Sequence, residues 1–516
     1  MSRWVTVAMA GLMVFGSVPA VSGDDGVKKS AAVDCAAVSN LRLPDVAVKA
    51  AEAVTTPAAG SRVKVPHCKV QGVIGTEIGF VVLLPDAWNG RFTMGGGGGF
   101  AGSLDNQVVD VVNDGYATAS TDTGHQADGL QASWALNNME RQVNYGYLGV
   151  HRTAEVAKAV IRAYYGTDSA YSYFLGCSNG GRQALMEAQR FPRDFDGIVS
   201  GAPAYDFVNI AASFVVTTAA TFPRPPDVKT STVSPADLTL VASAALESCD
   251  QSDGVKDGVI DQPVACKLPL DRVKACPGDV AGSDCLTSTA RQAIARIYAP
   301  LTGPSGEIYP GQPVGGEADG GGWQAWITGV DPRILARTDG RVPSLRYGFG
   351  TEFFKYFVYG NPAWDYTTFD IGRWQADTAP IAKVLNADND DLSGLKARTG
   401  KLILWHGWGD PALNAQSTIN YYERVRQRDP GAGDYARLFL MPGVLHCAGG
   451  AGPDSVDWMA AIAAWTEKGT APERILAAKK GPDGAVVRTR PLCVYPQRAV
   501  YSGTGSTDDA ANFVCK

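Results

Sequence analysis

The sequence predicts an α/β fold with a mostly parallel sheet, interrupted by one large insertion. Two observations carry this prediction. Strand-like and helix-like segments alternate before residue 204 and again after residue 369. The stretch between them lacks this rhythm and is rich in Pro, Gly, Asp and aromatic residues. We therefore expect one catalytic domain from residues 24–203 and 370–516, with residues 204–369 forming a lid domain over the carboxyl end of its sheet.

The predicted elements follow one another in a simple order. Before the insertion, the segments with β-compatible apolar residues are Val70–Ile74, Gly79–Leu84, Arg91–Met94, Tyr116–Thr121, Tyr171–Leu175 and Asp196–Ser200. Apolar residues at helical spacing predict a helix over Tyr147–Tyr165. After the insertion, the predicted elements are strand Lys401–His406, helix Ala415–Arg426, strand Ala436–Met441 and helix Val456–Lys468.

The first 23 residues have the pattern of a signal peptide. Arg3 supplies a positive charge, Val5–Val18 is apolar, and small residues precede Asp24. A membrane anchor is disfavoured because the apolar run is shorter than a spanning helix requires. We predict a secreted or periplasmic protein without a membrane segment.

Composition narrows the class of partner. The chain of 516 residues has a net charge of −6, and no basic run occurs in it. Nucleic-acid binding normally needs a concentrated positive surface, so we expect no nucleic-acid partner. The oligomeric state stays open.

Ten cysteines in a chain with a signal peptide predict disulfides rather than scattered buried thiols. Their spacing favours four local pairs, Cys35–Cys68, Cys249–Cys266, Cys276–Cys285 and Cys493–Cys515. Cys177 and Cys447 are left over, far apart in the sequence.

The segment Tyr171–Arg190 predicts a nucleophile elbow. A predicted strand leads directly into Gly-Cys-Ser-Asn-Gly at Gly176–Gly180, and Gly181–Arg190 has helical spacing. A strand, a tight Gly-x-Ser-x-Gly turn and a helix expose the serine hydroxyl at the end of a sheet. Ser178 is therefore the candidate nucleophile. The alternative is an ordinary turn, because glycine and serine are common in loops.

Five consecutive glycines, Gly95–Gly99, follow an earlier predicted strand. A phosphate loop is disfavoured because no Gly-Lys-Ser/Thr follows, and a flexible loop is the other alternative. In hydrolases with this elbow, one oxyanion N–H comes from the residue after the serine and another from a glycine-rich loop. Asn179 and Gly99 are the candidates for these two donors.

The general base and the acid follow from order along the chain. In this arrangement the acid and then the histidine follow the serine, and only His406 and His446 lie after Ser178. His446 lies in a loop after a predicted strand and is favoured as base, whereas His406 ends a strand and is expected to be structural. Asp410 is the favoured acid, and its alternative is a surface turn.

The two leftover cysteines flank these candidates. If Ser178 and His446 meet, Cys177 and Cys447 are close enough to form a disulfide. Such a bridge would hold the base and the nucleophile in register.

Residues 249–261 contain four aspartates with interspersed glycines. Hard oxygen ligands suit Ca²⁺, although the spacing is not that of an EF-hand. The candidate ligands are the carboxylates of Asp250, Asp253 and Asp257 and the main-chain carbonyls of Val255 and Val259. The alternative is a polar surface loop. We expect a structural Ca²⁺ and no organic cofactor.

These motifs resemble the tannase and feruloyl esterase family of α/β-hydrolases. The similarity covers Cys177-Ser178, Asp410, His446-Cys447, the calcium loop, the glycine run and the aromatic run Phe353–Tyr359. It implies the α/β-hydrolase fold with a large inserted lid domain. It also implies a secreted serine esterase whose lid binds aromatic acyl groups.

The aromatic lid residues that are candidates to stack on the acyl ring are Trp323, Trp326, Phe349 and Phe353, and packing within the lid core is the alternative for each. The family also contains hydrolases of mono(2-hydroxyethyl) terephthalate, which use a lid arginine for the substrate carboxylate. Arg346 lies near the corresponding region with different spacing, and Gly98 stands where those hydrolases have serine. Both departures argue against terephthalate as the main substrate.

The expected substrate is a small hydroxycinnamate ester, such as a feruloyl group on plant polysaccharide. A galloyl ester, as in tannin, and a terephthalate monoester are the alternatives. A calcium-stabilised secreted binding protein is the non-enzyme alternative, and the intact set Ser178, Asp410 and His446 argues against it.

Overall fold

The computed structural model describes residues 31–516 apart from positions 226, 269 and 330. The predicted signal peptide lies outside the described residues. The strands are β1 Val46–Val54, β2 His67–Ile74, β3 Ile78–Pro85, β4 Arg91–Gly95, β5 Ala117–Thr121, β6 Tyr171–Cys177, β7 Gly197–Gly201, β8 Leu301–Gly303, β9 Gly306–Tyr309, β10 Lys401–Gly407, β11 Ala436–Met441, β12 Ser455–Val456, β13 Arg474–Lys480, β14 Val486–Cys493, β15 Ala499–Tyr501 and β16 Phe513–Cys515.

The α-helices are α1 Met139–Val143, α2 Gly149–Tyr165, α3 Asn179–Arg190, α4 Phe207–Thr221, α5 Pro235–Cys249, α6 Ser288–Tyr298, α7 Pro332–Arg337, α8 Leu345–Phe353, α9 Trp374–Leu385, α10 Ser393–Ala397, α11 Ala415–Arg428 and α12 Trp458–Lys468. Within the described ranges, no helix is long and apolar enough to cross a bilayer.

A nine-stranded sheet in the order β1-β2-β3-β5-β4-β6-β7-β10-β11 forms the centre of the molecule. Neighbours are antiparallel from β1 to β5 and parallel from β5 to β11. The mostly parallel sheet predicted from the alternating elements is therefore present. β1 was not predicted; it is an edge strand whose alanines, lysine and glutamate give only a weak strand pattern.

Both faces of the parallel half are buried, as the apolar runs in its strands require. In β6, Phe174 packs with α2 and α3 on one face, whereas Tyr173 and Leu175 pack with α12 on the other. This alternation follows from the two-residue period of a strand. Helices therefore cover both faces, and the carboxyl end of the sheet is left for the lid.

The predicted lid segment, residues 204–369, contributes no strand to the central sheet within the described residues. Its helices α5 and α6 form a separate apolar cluster around Val241 and Ile294. Its helices α4 and α8 instead join a cluster that includes Ala412 and Leu413, which follow β10. Residues of the segment 204–369 therefore form a core of their own and also pack against residues that follow β10.

All five predicted disulfides are present in the structure. They join Cys35 to Cys68, Cys177 to Cys447, Cys249 to Cys266, Cys276 to Cys285, and Cys493 to Cys515. The bridge between Cys177 and Cys447 spans 270 residues of sequence and joins the ends of two different segments of the catalytic domain.

Candidate active site

Ser178 lies at a sharp turn between β6 and α3. Its φ of 65° and ψ of −124° are strained for a residue with a side chain. The turn is held by the surrounding main chain: the Ser178 N–H donates to the Gly201 carbonyl at 3.0 Å, and the Ser178 carbonyl accepts from the Ala204 N–H at 3.1 Å. The strained turn is therefore held by the end of β7 and by the residues that follow it.

The glycines of the turn are required by close packing. A Cβ atom at Gly176 would lie 2.5 Å from the main chain of Gly180, and one at Gly180 would lie 2.8 Å from Gln107 Oε1. Any larger residue would push α3 away from the sheet. The Gly-x-Ser-x-Gly pattern is thus explained by the geometry of an elbow.

Asp410 and His446 form a hydrogen-bonded pair at the carboxyl ends of β10 and β11. The His446 Nδ1 lies 2.7 Å from Asp410 Oδ2. The other carboxylate oxygen, Oδ1, accepts from the N–H groups of Ala412 and Leu413 at 2.8 and 2.9 Å. Because an ionised carboxylate only accepts, Nδ1 of His446 carries the proton and Nε2 keeps its lone pair.

His406 is a second donor to the same carboxylate. Its Nε2 lies 3.2 Å from Asp410 Oδ2, and its Nδ1 lies 2.8 Å from the Thr418 hydroxyl. Burial disfavours the charged form of Asp410, but the charge and hydrogen bonds of His446 and His406 outweigh it. The pKa of Asp410 is therefore held well below its ordinary value. His406, expected to be structural, thus contacts the candidate acid directly.

The disulfide between Cys177 and Cys447 lies beside these groups. It joins the residue before Ser178 to the residue after His446, with a Cα–Cα distance of 6.0 Å. Ser178 and His446 line one cavity, although they come from segments far apart in the sequence. The bridge therefore restrains the distance between the elbow and the His446 loop.

The polar residues that line this cavity are Ser178, Asn179 and His446, and Gly99 lines it with them. Its other lining residues are apolar: Phe100, Ala204, Phe207, Ile210, Ala211, Phe214, Trp326, Phe349, Phe353, Ala412 and Leu413. Of the predicted lid aromatics, Trp326, Phe349 and Phe353 are among them. The Trp326 ring lies 4.9 Å from the His446 ring and stacks on Phe349 at 6.0 Å.

Gly99 and Asn179 both line this cavity, and neither main-chain N–H donates to a protein acceptor in the described part of the chain. The Tyr145 hydroxyl lies 3.0 Å from both the Gly99 carbonyl and Asn179 Oδ1. The Asn179 side-chain amide also donates to the Gly97 carbonyl at 3.0 Å. These bonds fix the glycine loop against the elbow.

Trp323 and Arg346, two other lid residues predicted to bind substrate, do not line this cavity. Trp323 is fully buried in the lid core, where its ring lies 5.0 Å from that of Tyr298. It therefore cannot stack on a substrate ring. Arg346 is also buried, and it donates to the Pro411 carbonyl at 3.0 Å and to Gln312 Oε1 at 2.6 Å. Its guanidinium is engaged with protein acceptors instead of facing a substrate carboxylate.

Arg346 and Gln312 instead support the loop that carries Asp410. The Gln312 side-chain amide donates to the Asp410 carbonyl at 2.7 Å, while Arg346 holds the next carbonyl, that of Pro411. Burial lowers the pKa of Arg346 to about 10, so the guanidinium stays charged at neutral pH. Gln312 and Arg346 thus hold the two successive main-chain carbonyls of Asp410 and Pro411.

Phe100, Phe207 and Phe214 line the cavity although the sequence did not single them out. Phe207 and Phe214 lie on α4, which is apolar on nearly all sides. The sequence did contain a signal for α4, because a helix without a polar face must be buried on all sides. Such a helix, following a central strand, indicates that its side chains contact other elements or a cavity.

The predicted calcium loop offers oxygen atoms to a common pocket. Asp253, Asp257 and Asp261 line it together with Val259. Asp261 Oδ2 is buried without a hydrogen-bond partner among the described residues, and burial together with Asp253 and Asp257 raises the pKa of Asp261 to about 7. An unpaired carboxylate beside two others fits a hard cation, so the residues present suit Ca²⁺.

The other calcium-loop residues shape the turn. Asp250 Oδ1 accepts from the N–H groups of Asp257 and Gly258 at 3.1 Å, while Asp257 Oδ2 accepts from Arg490 at 2.6 Å. Asp250 therefore closes the loop, and Asp261, not predicted as a ligand, provides the free carboxylate oxygen.

Comparison with known proteins identifies the family. Residues 62–516 match the sequence model described as tannase and feruloyl esterase. The chain belongs to the tannase and feruloyl esterase family. It is 37% identical to an uncharacterised esterase of Xanthomonas campestris pv. campestris, over 94% of this chain and 92% of that protein. It is 32% identical to mono(2-hydroxyethyl) terephthalate hydrolase of Piscinibacter sakaiensis, over 89% of this chain and 86% of that protein.

Solved structures of the family share its fold. An esterase from Aspergillus oryzae superimposes with a TM-score of 0.81 at 26% identity, covering 93% of this chain and 99% of that one. Feruloyl esterase B from Aspergillus oryzae gives 0.82 at 24% identity, covering 94% and 100%. The predicted α/β-hydrolase fold is confirmed. As a member of the tannase and feruloyl esterase family, the chain is a carboxylic ester hydrolase, so the prediction of an enzyme is also confirmed.

Proposed function

We propose that this enzyme is a secreted serine carboxylesterase for hydroxycinnamate esters, acting through Ser178, His446 and Asp410. The observation that carries the proposal is the largely apolar, aromatic-walled cavity that Ser178 and His446 line. An aromatic acyl group placed there would bring its ester carbonyl to the serine. The strained elbow and the paired histidine are the features that such a reaction needs.

In the proposed mechanism, Ser178 Oγ attacks the ester carbonyl while His446 Nε2 removes its proton. Asp410, held by two main-chain N–H groups, orients His446 and stabilises its charged form. The free N–H groups of Gly99 and Asn179 would donate to the developing oxyanion. His446 then protonates the leaving alcohol. In the second half-reaction His446 removes a proton from water, the water oxygen attacks the acyl carbonyl, and the bond to Ser178 Oγ breaks as His446 returns the proton to Ser178 and the acid is released.

The cavity walls favour a feruloyl group over the two alternative acyl groups. A terephthalate monoester carries a free carboxylate, but no lysine or arginine lines the described cavity, and Arg346 is engaged elsewhere. A galloyl group carries three hydroxyls that would need polar partners, which the apolar walls do not offer. A ferulate ring has one hydroxyl and one methoxy group and suits the walls best.

The substrate proposal is tested with methyl ferulate, methyl gallate and mono(2-hydroxyethyl) terephthalate, using the purified enzyme. We expect the highest kcat/KM for methyl ferulate, and a higher value for either competitor would reject the preference. Ser178→Ala should lower kcat/KM at least about 10³-fold. Ser502→Ala, at an exposed serine, serves as the matched control and should retain full activity.

We propose further that the loop at residues 250–261 binds one structural Ca²⁺. The ligands would be the carboxylates of Asp250, Asp253 and Asp257 with the carbonyls of Val255 and Val259, joined by Asp261. Bound there, the ion would neutralise this acidic loop and tie it together. Chelation should lower the Tm of the wild type but not that of Asp261→Asn; equal effects on both would reject the site.

Secretion is also proposed, from the predicted signal peptide. The polysaccharide-linked or tannin-linked esters considered above would then be met outside the cytoplasm. Amino-terminal sequencing of the exported protein should find a new terminus near Asp24, and an intact Met1 would contradict export by cleavage.

A further inference from the structure

A second cluster of ionisable groups lies behind the elbow, away from the Ser178 cavity. His151 lies on α2, Glu187 lies on α3, and Asp194 lies in the loop between α3 and β7. One nitrogen or oxygen atom of each residue lies within 4.8 Å of the corresponding atoms of the other two. Three different segments therefore bring one imidazole and two carboxyl groups to one point.

Glu187 is the unusual member of this cluster. Its side chain is fully buried, and neither carboxylate oxygen accepts a hydrogen bond from an N–H or hydroxyl donor among the described residues, although the Asp194 carboxyl lies within hydrogen-bonding reach. A buried, unpaired carboxylate is costly and is normally neutralised by a proton or a cation. Burial and the neighbouring Asp194 together raise the pKa of Glu187 well above its ordinary value.

The neighbouring positive charge does not satisfy Glu187. Lys158 is the nearby cation, and its ammonium donates to the main-chain carbonyl of Asp194. Burial lowers the pKa of Lys158. His151 Nδ1 lies 2.6 Å from Asp194 Oδ2, so this imidazole also serves Asp194. Lys158 and His151 thus both bind Asp194, and neither donates a hydrogen bond to the carboxylate of Glu187.

A single shared proton would not resolve this arrangement. A proton between Glu187 and Asp194 would satisfy one oxygen of Glu187 and leave the other without a partner. A cation bound by both oxygens of Glu187 would satisfy the two atoms together. It would also neutralise the repulsion between the two carboxylates.

The donor set indicates the class of cation. One imidazole nitrogen with carboxylate oxygens suits Zn²⁺ and related transition metals, whereas Ca²⁺ and Mg²⁺ prefer oxygen ligands alone. The His151 ring is fixed by stacking on Phe191 at 3.8 Å. On metal binding, His151 Nδ1 would exchange its hydrogen bond to Asp194 for a bond to the ion. The His151 side chain is 21% exposed, which provides a path for an ion from solvent.

We propose that His151, Glu187 and Asp194 form a binding site for one divalent transition-metal ion, with Zn²⁺ preferred. The ion would join α2, α3 and the loop before β7. Because α3 begins directly after Ser178, the site would fasten the rear of the helix whose front carries the nucleophile. Its role is structural and separate from the ester chemistry.

The test uses full-length mature protein with Ca²⁺ present throughout, so that the acidic lid loop stays saturated. Metal-stripped wild type is titrated with Zn²⁺, and bound metal is counted by mass spectrometry after gel filtration. We expect one retained Zn²⁺ per chain and a Zn²⁺-dependent rise in Tm. Glu187→Gln should weaken binding at least about tenfold and abolish the rise.

His67→Gln is the matched control, because the His67 ring forms a hydrogen bond with the Val65 carbonyl and lies outside the cluster. It should bind Zn²⁺ as the wild type does. Equal affinity in the wild type and Glu187→Gln, or no retained Zn²⁺ in the wild type, would overturn the proposal in favour of a shared proton.

A second measurement keeps the test decisive if Glu187→Gln does not fold. X-ray absorption of Zn²⁺-loaded wild type should show one imidazole ligand, with nitrogen and oxygen atoms at about 2.0–2.2 Å. A spectrum with two or more imidazoles, or with none, would reject this site.

Discussion

Asp410 and Glu187 are both buried carboxyl groups, but their surroundings shift their pKa values in opposite directions. Asp410 accepts hydrogen bonds from two main-chain N–H groups and from the imidazoles of His446 and His406. Glu187 accepts none from the described residues. The pKa of Asp410 is accordingly lowered and that of Glu187 raised. Burial alone therefore does not decide whether an acid stays charged; the donors directed at it do.

This difference divides the molecule into two kinds of polar site. At the carboxyl end of the sheet, charges are placed and fully bonded, as a preorganised reaction site requires. Behind the elbow, the carboxyl group of Glu187 is buried without hydrogen-bond donors among the described residues. Such a group is neutralised by binding a proton or a metal ion. Substitutions at the two kinds of site should therefore have different effects on activity and stability.

The largest expected effect comes from Asp410→Asn, which keeps the shape of the side chain and removes its charge. His446 would lose the partner that fixes its Nδ1 proton, so we expect kcat/KM on methyl ferulate to fall about 10⁴-fold. Asp483→Asn, at an exposed turn, should leave activity unchanged. A loss of less than tenfold in Asp410→Asn would mean that Asp410 does not serve the base.

Removing the bridge beside the active site should have the next largest effect. The double change Cys177→Ala with Cys447→Ala should lower the free energy of unfolding by about 2–4 kcal/mol, measured in denaturant, and should also lower kcat. The Cys276–Cys285 pair spans only 9 residues of sequence and provides the matched control. Its removal should destabilise less and leave kcat unchanged, and an equal loss of kcat would show that the bridge has no positioning role.

In the absence of metal, Glu187→Gln should raise the free energy of unfolding, whereas removal of the disulfide should lower it. The raised pKa means that folded protein holds a proton that unfolded protein releases. Wild-type stability is therefore lost as the pH rises above the ordinary glutamate pKa of about 4.3. With a chelator present, we expect Glu187→Gln to be more stable than the wild type by about 1–3 kcal/mol at pH 8, with the gap closing toward pH 4. A variant less stable than the wild type at pH 8 would show that the carboxylate is satisfied there.

Asp410 provides the converse pH dependence. Its lowered pKa contributes stability that is present above the ordinary aspartate pKa of about 3.9 and is lost as the pH falls below it. Asp410→Asn should therefore flatten the acid limb of the stability curve between about pH 4 and pH 2. An unchanged acid limb would mean that the hydrogen bonds do not favour the charged form.

The smallest effect is expected from the lid brace on the Asp410 loop. Arg346→Met removes the donor to the Pro411 carbonyl, so kcat should fall about tenfold while KM changes little, because Arg346 lies outside the substrate cavity. Arg346→Lys should restore part of kcat by donating one hydrogen bond. A rise in KM specific to terephthalate monoester would instead show that Arg346 reaches the substrate.

Sequence patterns were sufficient where a single segment determines the geometry. The elbow at Ser178 follows from a strand, two glycines and a helix. The bridge from Cys177 to Cys447 could then be predicted because these two cysteines are left over from the local pairs and flank the candidate nucleophile and base. The lid was predictable only as a region. Whether Trp323 or Phe214 reaches the cavity depends on how α4, α8 and the loops before them pack. The hydrophobic periodicity of a single segment does not predict this packing.

The same limit applies to single polar residues. Glu187 lies in a helix whose sequence has several charged and amide side chains, and nothing local indicates that this one is buried. Arg346 was expected to face a substrate because of its position in the chain, but its contacts are made with the Asp410 loop and Gln312. Tertiary contacts between distant segments decided both cases.

The central claim, that Ser178 is a nucleophile activated by His446 and Asp410, is tested most directly by covalent labelling. Diethyl 4-nitrophenyl phosphate should phosphorylate Ser178 Oγ and release one equivalent of 4-nitrophenol per chain, with the adduct located by peptide mass spectrometry. Ser178→Ala should show no adduct, and Asp410→Asn should react far more slowly. Stoichiometric labelling at another residue, or full-rate labelling of Asp410→Asn, would contradict the account.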